Sequence, residues 1–186
     1  VLNVAFVGSE SLARKIAKKG DVRDIESYVH KEEKNGEMRI ISLLRPLKHP
    51  EKIRPLLSVL NVAKIGIIEI SKVDSALGEI CVSFGCANIK QGLVIINAED
   101  GEWVDPDQVR IILEQSGLKN WELLEQLPDE HSIREKLYSF MDSIEHGDSS
   151  LILPVDQFFN VKGVGLVAIG YVQSGSVSKH DSIQVL

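Results

Sequence analysis

The chain is poor in cysteine. Cys81 and Cys86 are the only two in 186 residues, too few for a disulfide scaffold. With no second pair and no paired histidines nearby, they read as helix packing rather than a metal site. No apolar run reaches the roughly 18 residues a membrane-spanning helix needs, so no membrane partner is expected. No long apolar stretch comes after the first eight residues, so the start does not read as a secretory signal. Only two tryptophans are present, Trp103 and Trp121, and both read as packing residues rather than base-stacking platforms. The five histidines are scattered, and no Ser/His/Asp arrangement is visible. Charge of one sign does not dominate either: the net charge is −6, with 26% charged and 44% hydrophobic residues. That is globular usage, and it argues against disorder. The expectation is a soluble, cytoplasmic protein.

Charge is nevertheless uneven. Residues 1–60 carry 12 basic and 8 acidic side chains, whereas residues 61–147 carry 7 and 16. A basic pole on an acidic body can steer towards phosphate, although a mixed solvated surface has the same composition.

Hydropathy patterning then organises the chain. Leu2–Val7 is a short apolar run ending in Gly8, which predicts a buried strand and a turn. From Ser9 the period changes, with Leu12 and Ile16, and Ala13 and Ala17, recurring at helical spacing. Ser9 is the predicted N-cap and Gly20 the stop. Asn35-Gly36 lies between the strand-like segments 24–30 and 37–44, a type I′ hairpin signal that a plain doubly wound domain would lack. Further on, Ile53, Leu56, Leu57 and Leu60 mark a helix face, with Pro55 confining regular helix mostly to the residues after it. Lys64–Ile70 and Leu93–Ile96 are buried strands. Leu77, Ile80, Cys81 and Phe84 mark another helix. Asp105-Pro106 caps a helix with Val109, Ile112 and Leu113 inward and Gly117 at its end. A short strand at Trp121–Leu124 precedes a helix built on Ile133, Leu137, Phe140 and Ile144. The order β-α-β-β-α-β-α-β-α-β-α predicts an α/β fold, a mostly parallel sheet with helices on both faces and one antiparallel strand.

At Gly147–Ser150 the texture changes. Strand-like segments at 151–155, 165–172 and 182–186 alternate with turn residues at Asn160, Gly163, Gly175 and His180-Asp181. Three or four strands are too few to close a barrel, so the chain is expected to stop inside a second domain. The expected division is 1–147 and 148–186.

The segment Val155-Asp-Gln-Phe-Phe-Asn-Val-Lys-Gly163-Val-Gly165-Leu-Val-Ala-Ile-Gly170, continuing through Gly175 to Asp181 before the next strand, carries a specific pattern of glycines, aromatics and acids. It resembles the start of the second-domain barrel of translational GTPases, the group of elongation factor Tu, elongation factor 1-alpha and the selenocysteine-specific elongation factor. In that family the barrel comes after a P-loop GTPase domain with the strand order derived above. The resemblance therefore implies a GTPase-like domain over 1–147 and the incomplete beginning of the barrel over 148–186.

It also makes demands on the nucleotide site. The family's phosphate loop, Gly-x4-Gly-Lys-[Ser/Thr], wraps phosphates in backbone N–H groups, bridges them with lysine and holds magnesium through the hydroxyl. Here it reads Gly8-Ser-Glu-Ser-Leu-Ala13-Arg14-Lys15: the first glycine is kept, and a cation stands where the hydroxyl should be. Glu10 adds a carboxylate that repels phosphate. The family's Asp-x-x-Gly element reads Leu44-Arg45-Pro46-Leu47, and His49 comes next as a displaced counterpart of the catalytic histidine or a helix-start residue. Only about five residues, Asp21 to Ile25, link the first helix to the second strand, leaving no room for a switch. The guanine motif Asn-Lys-x-Asp reads Asn97-Ala98-Glu99-Asp100, with asparagine and aspartate kept and lysine gone. The later Ser-Ala motif is absent near Glu125-Gln126.

The resemblance implies a vestigial nucleotide site of Gly8, Arg14, Lys15, Asn97 and Asp100. No catalytic residue, no magnesium site and at most weak GTP or GDP binding are expected. It implies an elongation-factor-like protein acting by binding the ribosome, a tRNA or another translation factor without hydrolysis, and no DNA. Two alternatives share the residues: a regulatory protein retaining weak guanine-nucleotide binding, and a pure protein-interaction adaptor.

Overall fold

The computed structural model describes residues 1–98, 103–144 and 150–184. It divides into two compact units, Val1–Asp142 and Ser143–Leu186. The expected boundary at 147/148 and the residues Glu99 and Asp100 lie outside the described residues.

The first unit runs β1 (Leu2–Val7), α1 (Glu10–Ile16), β2 (Lys18–Val22), β3 (Ile25–Lys34), β4 (Glu37–Pro46), α2 (Ile53–Val62), β5 (Ile65–Ile70), α3 (Ser75–Cys86), β6 (Gln91–Ile96), α4 (Pro106–Gln115), β7 (Glu122–Leu124) and α5 (Glu130–Ser143). Its sheet has the order β2-β3-β4-β1-β5-β6-β7. β3 runs against both its neighbours, and the pairs β4–β1–β5–β6–β7 are parallel. The hairpin turns at Asn35 and Gly36, whose φ angles of 56° and 80° are the left-handed pair a type I′ turn requires.

Burial on both faces explains the near-continuous apolar strands. Ala5, Ile68, Ile70, Val94 and Ile96 share a core with the inward residues of α2, α3 and α4. The alternate residues Val4, Phe6, Ile67, Leu93 and Ile95 are fully buried as well. Leu12 and Ile16 of α1 and Ile133 and Leu137 of α5 are buried too, each such side chain stabilising the fold by about 1.5–3 kcal/mol. Trp121 is buried over two glycines: a Cβ on Gly66 would overlap its Cη2, and one on Gly92 would lie 2.5 Å from its Cε3. Its indole N–H donates to the Ile89 carbonyl at 3.1 Å, and Phe84 meets it edge-on at 5.1 Å.

Several details differ from the sequence expectation. The helix α1 stops at Ile16, and Gly20 lies within an additional edge strand, β2, rather than ending a helix. The segment between α1 and β3 is therefore residues 17–24, not the shorter link expected, and most of it is committed to pairing with β3. Pro55 sits in the first turn of α2, where its missing N–H has no role, and is buried, while Ile53 and Leu57 face outward. Trp103 is 78% exposed rather than buried, and Cys86 is exposed where only Cys81 is buried.

In the second unit, β8 (Val155–Val161) and β9 (Gly165–Gly170) form an antiparallel pair joined through Gly163, φ 85°. Asn160, expected in a turn, pairs with Leu166 inside this ladder. Ile152 makes an isolated bridge to Ser174 in place of the expected strand at 151–155. Residues 182–184 form no strand among those described. Across the described residues no helix is long and apolar enough to cross a membrane.

Candidate functional site

The ends of the parallel strands bring Gly8, Glu69 and Asn97 to one edge. β1 and β5 pair in parallel with Val7 opposite Ile68, so the next residues, Gly8 and Glu69, lie side by side. β6 continues the same edge, ending at Ile96, and the Asn97 amide N–H donates to the Ile70 carbonyl at 2.8 Å.

Glu69 joins the other two. Its Oε2 accepts the Ser9 backbone N–H at 2.5 Å, and its Oε1 accepts the Asn97 side-chain amide at 2.6 Å. The contact with the turn is close: a Cβ on Gly8 would lie 2.7 Å from both Glu69 Cβ and Oε2. Gly8 is thus required here by a carboxylate of the same chain. Two more bonds hold the start of α1. The Ser9 hydroxyl caps α1 by accepting the Leu12 N–H at 3.2 Å, and the Ala13 N–H reaches the Ser9 carbonyl.

The expected cations are placed differently. Arg14 donates through Nε to Glu10 Oε1 at 2.7 Å, an i, i+4 ion pair on the surface of α1. Lys15 is exposed, and its carbonyl accepts from Arg134 Nη2 at 2.7 Å. Hydrogen bonds from Lys19 and Arg14 hold the Glu10 carboxyl below the usual carboxylate range.

A second carboxylate, which sequence reasoning missed, anchors the neighbouring strands. Glu26 of β3 is 4% exposed. It accepts from Lys19 Nζ at 2.6 Å, Tyr28 Oη at 2.8 Å and Arg45 Nη1 at 2.8 Å. Burial alone would push its pKa up, but these three donors outweigh burial and bring it to about 2. Arg45, one residue past the position of the family's aspartate, also donates through Nε to the Gly8 carbonyl at 2.7 Å. It thereby links the Glu26 cluster to the β1 turn. Lys19 bridges Glu26 and Glu10, which raises its own pKa.

His49 precedes α2 in a turn. Its Nε2 is buried, has no hydrogen-bond partner and lies 3.6 Å from Glu79 Oε1. No group of three or more His, Cys, Asp or Glu side chains suited to a metal ion occurs among the described residues.

No protein-family model matches the chain. It is 31% identical over 186 residues to the uncharacterized protein MJ0325 of Methanocaldococcus jannaschii, a match covering 99% of this chain and 56% of that protein. The chain thus spans a little over half the length of that curated relative. Among solved structures, a bacterial selenocysteine-specific elongation factor superposes with a TM-score of 0.68 at 16% identity, over 97% of this chain and 36% of that one. The elongation factor SelB of Methanococcus maripaludis, determined with the GTP analogue GppNHp, superposes with a TM-score of 0.60 at 18% identity, over 94% and 42%. This chain has a translation elongation factor fold. Those neighbours are translation factors with GTPase and barrel domains, and this chain shares with them a mixed, mostly parallel sheet with helices, accompanied by a second small antiparallel sheet.

Two signals for the missed residues were in the sequence. Glu69 is the single charge interrupting Ile65–Ile70, which is otherwise apolar or glycine and buried. Glu26 alternates with Tyr28 along β3, and that is the face the strand buries most completely.

Proposed function

We propose that this chain is an elongation-factor-like protein whose GTPase-like unit acts as a scaffold, binding the ribosome, a tRNA or another translation factor without hydrolysing GTP. The observation that carries the reading is the Glu69 carboxylate, which accepts the Ser9 N–H at 2.5 Å in the turn after β1. Phosphate binding in such a turn uses free backbone N–H groups and a nearby uncommitted cation. Here the donor already serves an internal anion, and Arg14, the cation at the lysine position, serves Glu10. A triphosphate would meet Glu69 and Glu10 as like charges. At the position of the magnesium-binding hydroxyl stands Lys15, which offers a cation no oxygen ligand. Phosphoryl transfer needs metal, cradle and positioned water together, so the residues present do not fit it.

Asn97 keeps its place after β6 but turns its amide to Glu69, which makes it a brace for the strand ends rather than a base contact. The expected base contact, Asp100, lies outside the described residues. Support for translation as the setting comes from the fold shared with elongation factors.

The test titrates the protein with fluorescent GTP and GDP, with and without magnesium. No saturable, metal-dependent signal is expected up to high micromolar protein. Micromolar affinity that requires magnesium would overturn the reading in favour of a guanine-nucleotide-responsive protein. Co-sedimentation with ribosomes and recovery of tRNA would separate the scaffold from a pure adaptor, which would recover neither.

A further inference from the structure

Beside α1, on the side of the unit built from β2, β3 and α5, a groove of about 760 Å³ is lined by Arg14, Lys18, Lys19, His30, Lys31 and Arg134, with Ala17, Gly20 and Val29 between them. No carboxylate lines it. Four separate elements supply the cations: α1 gives Arg14, β2 the two lysines, β3 Lys31 and α5 Arg134.

Their pairing separates bound from unmatched charge. Arg14 is taken by Glu10, and Lys19 by Glu10 and Glu26. Lys18 and Lys31 are exposed and have no ion pair among the described residues. Arg134 donates to two neutral acceptors, the Ile16 carbonyl from Nε and the Lys15 carbonyl from Nη2, both at 2.7 Å. These bonds fix its guanidinium at the end of α1, and no ion pair to it occurs among the described residues. Burial and the nearby Arg134 lower the pKa of His30, so it lines the groove without adding charge at neutral pH.

We propose that this groove binds the sugar–phosphate backbone of RNA through Lys18, Lys31 and Arg134. A concave surface with cations from several elements tracks a polyanionic strand and cannot be flattened against a bilayer. No tryptophan, tyrosine or phenylalanine lines it, so the His30 imidazole is the one ring in the lining and contact is chiefly to phosphate, irrespective of sequence. These cations stand apart from the β1 turn, whatever its state. Only the choice of RNA over DNA rests on the translation reading above.

The test uses the full-length protein and a fluorescently labelled RNA hairpin of about 20 base pairs, with binding monitored by anisotropy as salt is varied. Three cations without ion pairs predict a log–log salt slope of about −2 to −3, or an affinity loss of about 16- to 64-fold between 50 and 200 mM salt. The Lys18→Ala/Lys31→Ala variant should reduce the slope by about two and weaken binding at least 10-fold, with an unchanged circular dichroism spectrum. Lys90→Ala, an exposed lysine elsewhere, should leave both unchanged. The proposal is overturned if the double variant binds as the parent does. A DNA hairpin of the same sequence should show a similar salt slope, because the contacts are to phosphate. The proposal is also overturned if a polyglutamate peptide or anionic phosphatidylserine vesicles bind as tightly as the RNA. Failure here with nucleotide still unbound leaves the scaffold reading intact, while magnesium-dependent GTP binding with the RNA results as expected removes only that reading.

Discussion

Replacing Glu26 by glutamine removes one negative charge from a cluster in which Lys19, Tyr28 and Arg45 all donate to it. Glutamine keeps an acceptor but turns an N–H pair towards a cation. Lys19 and Arg45 are themselves only 21% and 22% exposed, so neither is well hydrated once its partner is gone. Breaking a fully buried pair costs about 3–5 kcal/mol. Partial exposure of the two cations and the remaining Glu10–Lys19 contact place this case lower, at about 2–3 kcal/mol near pH 7. The pKa of the carboxyl gives an independent figure: a fall from 4.5 to about 2 corresponds to a stabilisation on the order of 3 kcal/mol above the unfolded pKa. A depressed folded-state pKa means that this stability is complete above about pH 4.5 and is lost as pH falls towards 2. Urea unfolding of both proteins from pH 7 to pH 2 reads it directly. The parent should be more stable by about 2–3 kcal/mol at pH 7, with the gap closing between pH 4.5 and 2. A variant as stable as the parent at pH 7, or a gap that does not change with pH, would refute the electrostatic reasoning.

Two further outcomes rest on packing and exposure. Gly66→Ala drives a methyl group into Trp121 Cη2 and to 2.5 Å from Phe84 Cε1. It should cost about 3 kcal/mol, seen as a lower Tm and altered tryptophan fluorescence. Gly78→Ala meets nothing within 4 Å in the helix α3 and should stabilise the protein by about 0.5–1 kcal/mol, so equal effects at the two sites would contradict the packing. A chromogenic disulfide reagent should modify exposed Cys86 in the native protein. It should reach Cys81 only after denaturation, because that thiol is 1% exposed and burial pushes its pKa up to about 11.

The features legible in the residues were those that depend on period and local chemistry. The parallel strands, the Asn35-Gly36 hairpin, and the caps at Ser9 and Asp105 arise from burial patterns and side-chain acceptors that act within a few positions. β2 escaped because Lys18-Lys-Gly-Asp-Val has no apolar face to signal pairing; its partners lie in β3, and the Asp21 N–H is received by the Ser27 hydroxyl at 2.9 Å. Trp103 escaped for the opposite reason, since a large ring gives no sign by itself of whether a pocket exists to receive it. The substitutions in the phosphate-loop register were visible. The ionic contacts that occupy the turn were not, because Glu69 is brought there by strand register over sixty positions, and Glu26 by a hairpin whose more polar-looking face is the buried one.

The two margins of the seven-stranded sheet differ in how they resist extension. β7 is three residues long, too short to template another strand. β2 is longer but carries Lys18, Lys19 and Asp21 with a glycine between, and like-charged copies of such a strand repel when brought alongside one another. Lys18, which makes this rim attractive to a polyanion, therefore also discourages fibrillar self-association, so neutralising it alone should be tolerated by the fold yet raise the protein's tendency to aggregate on storage.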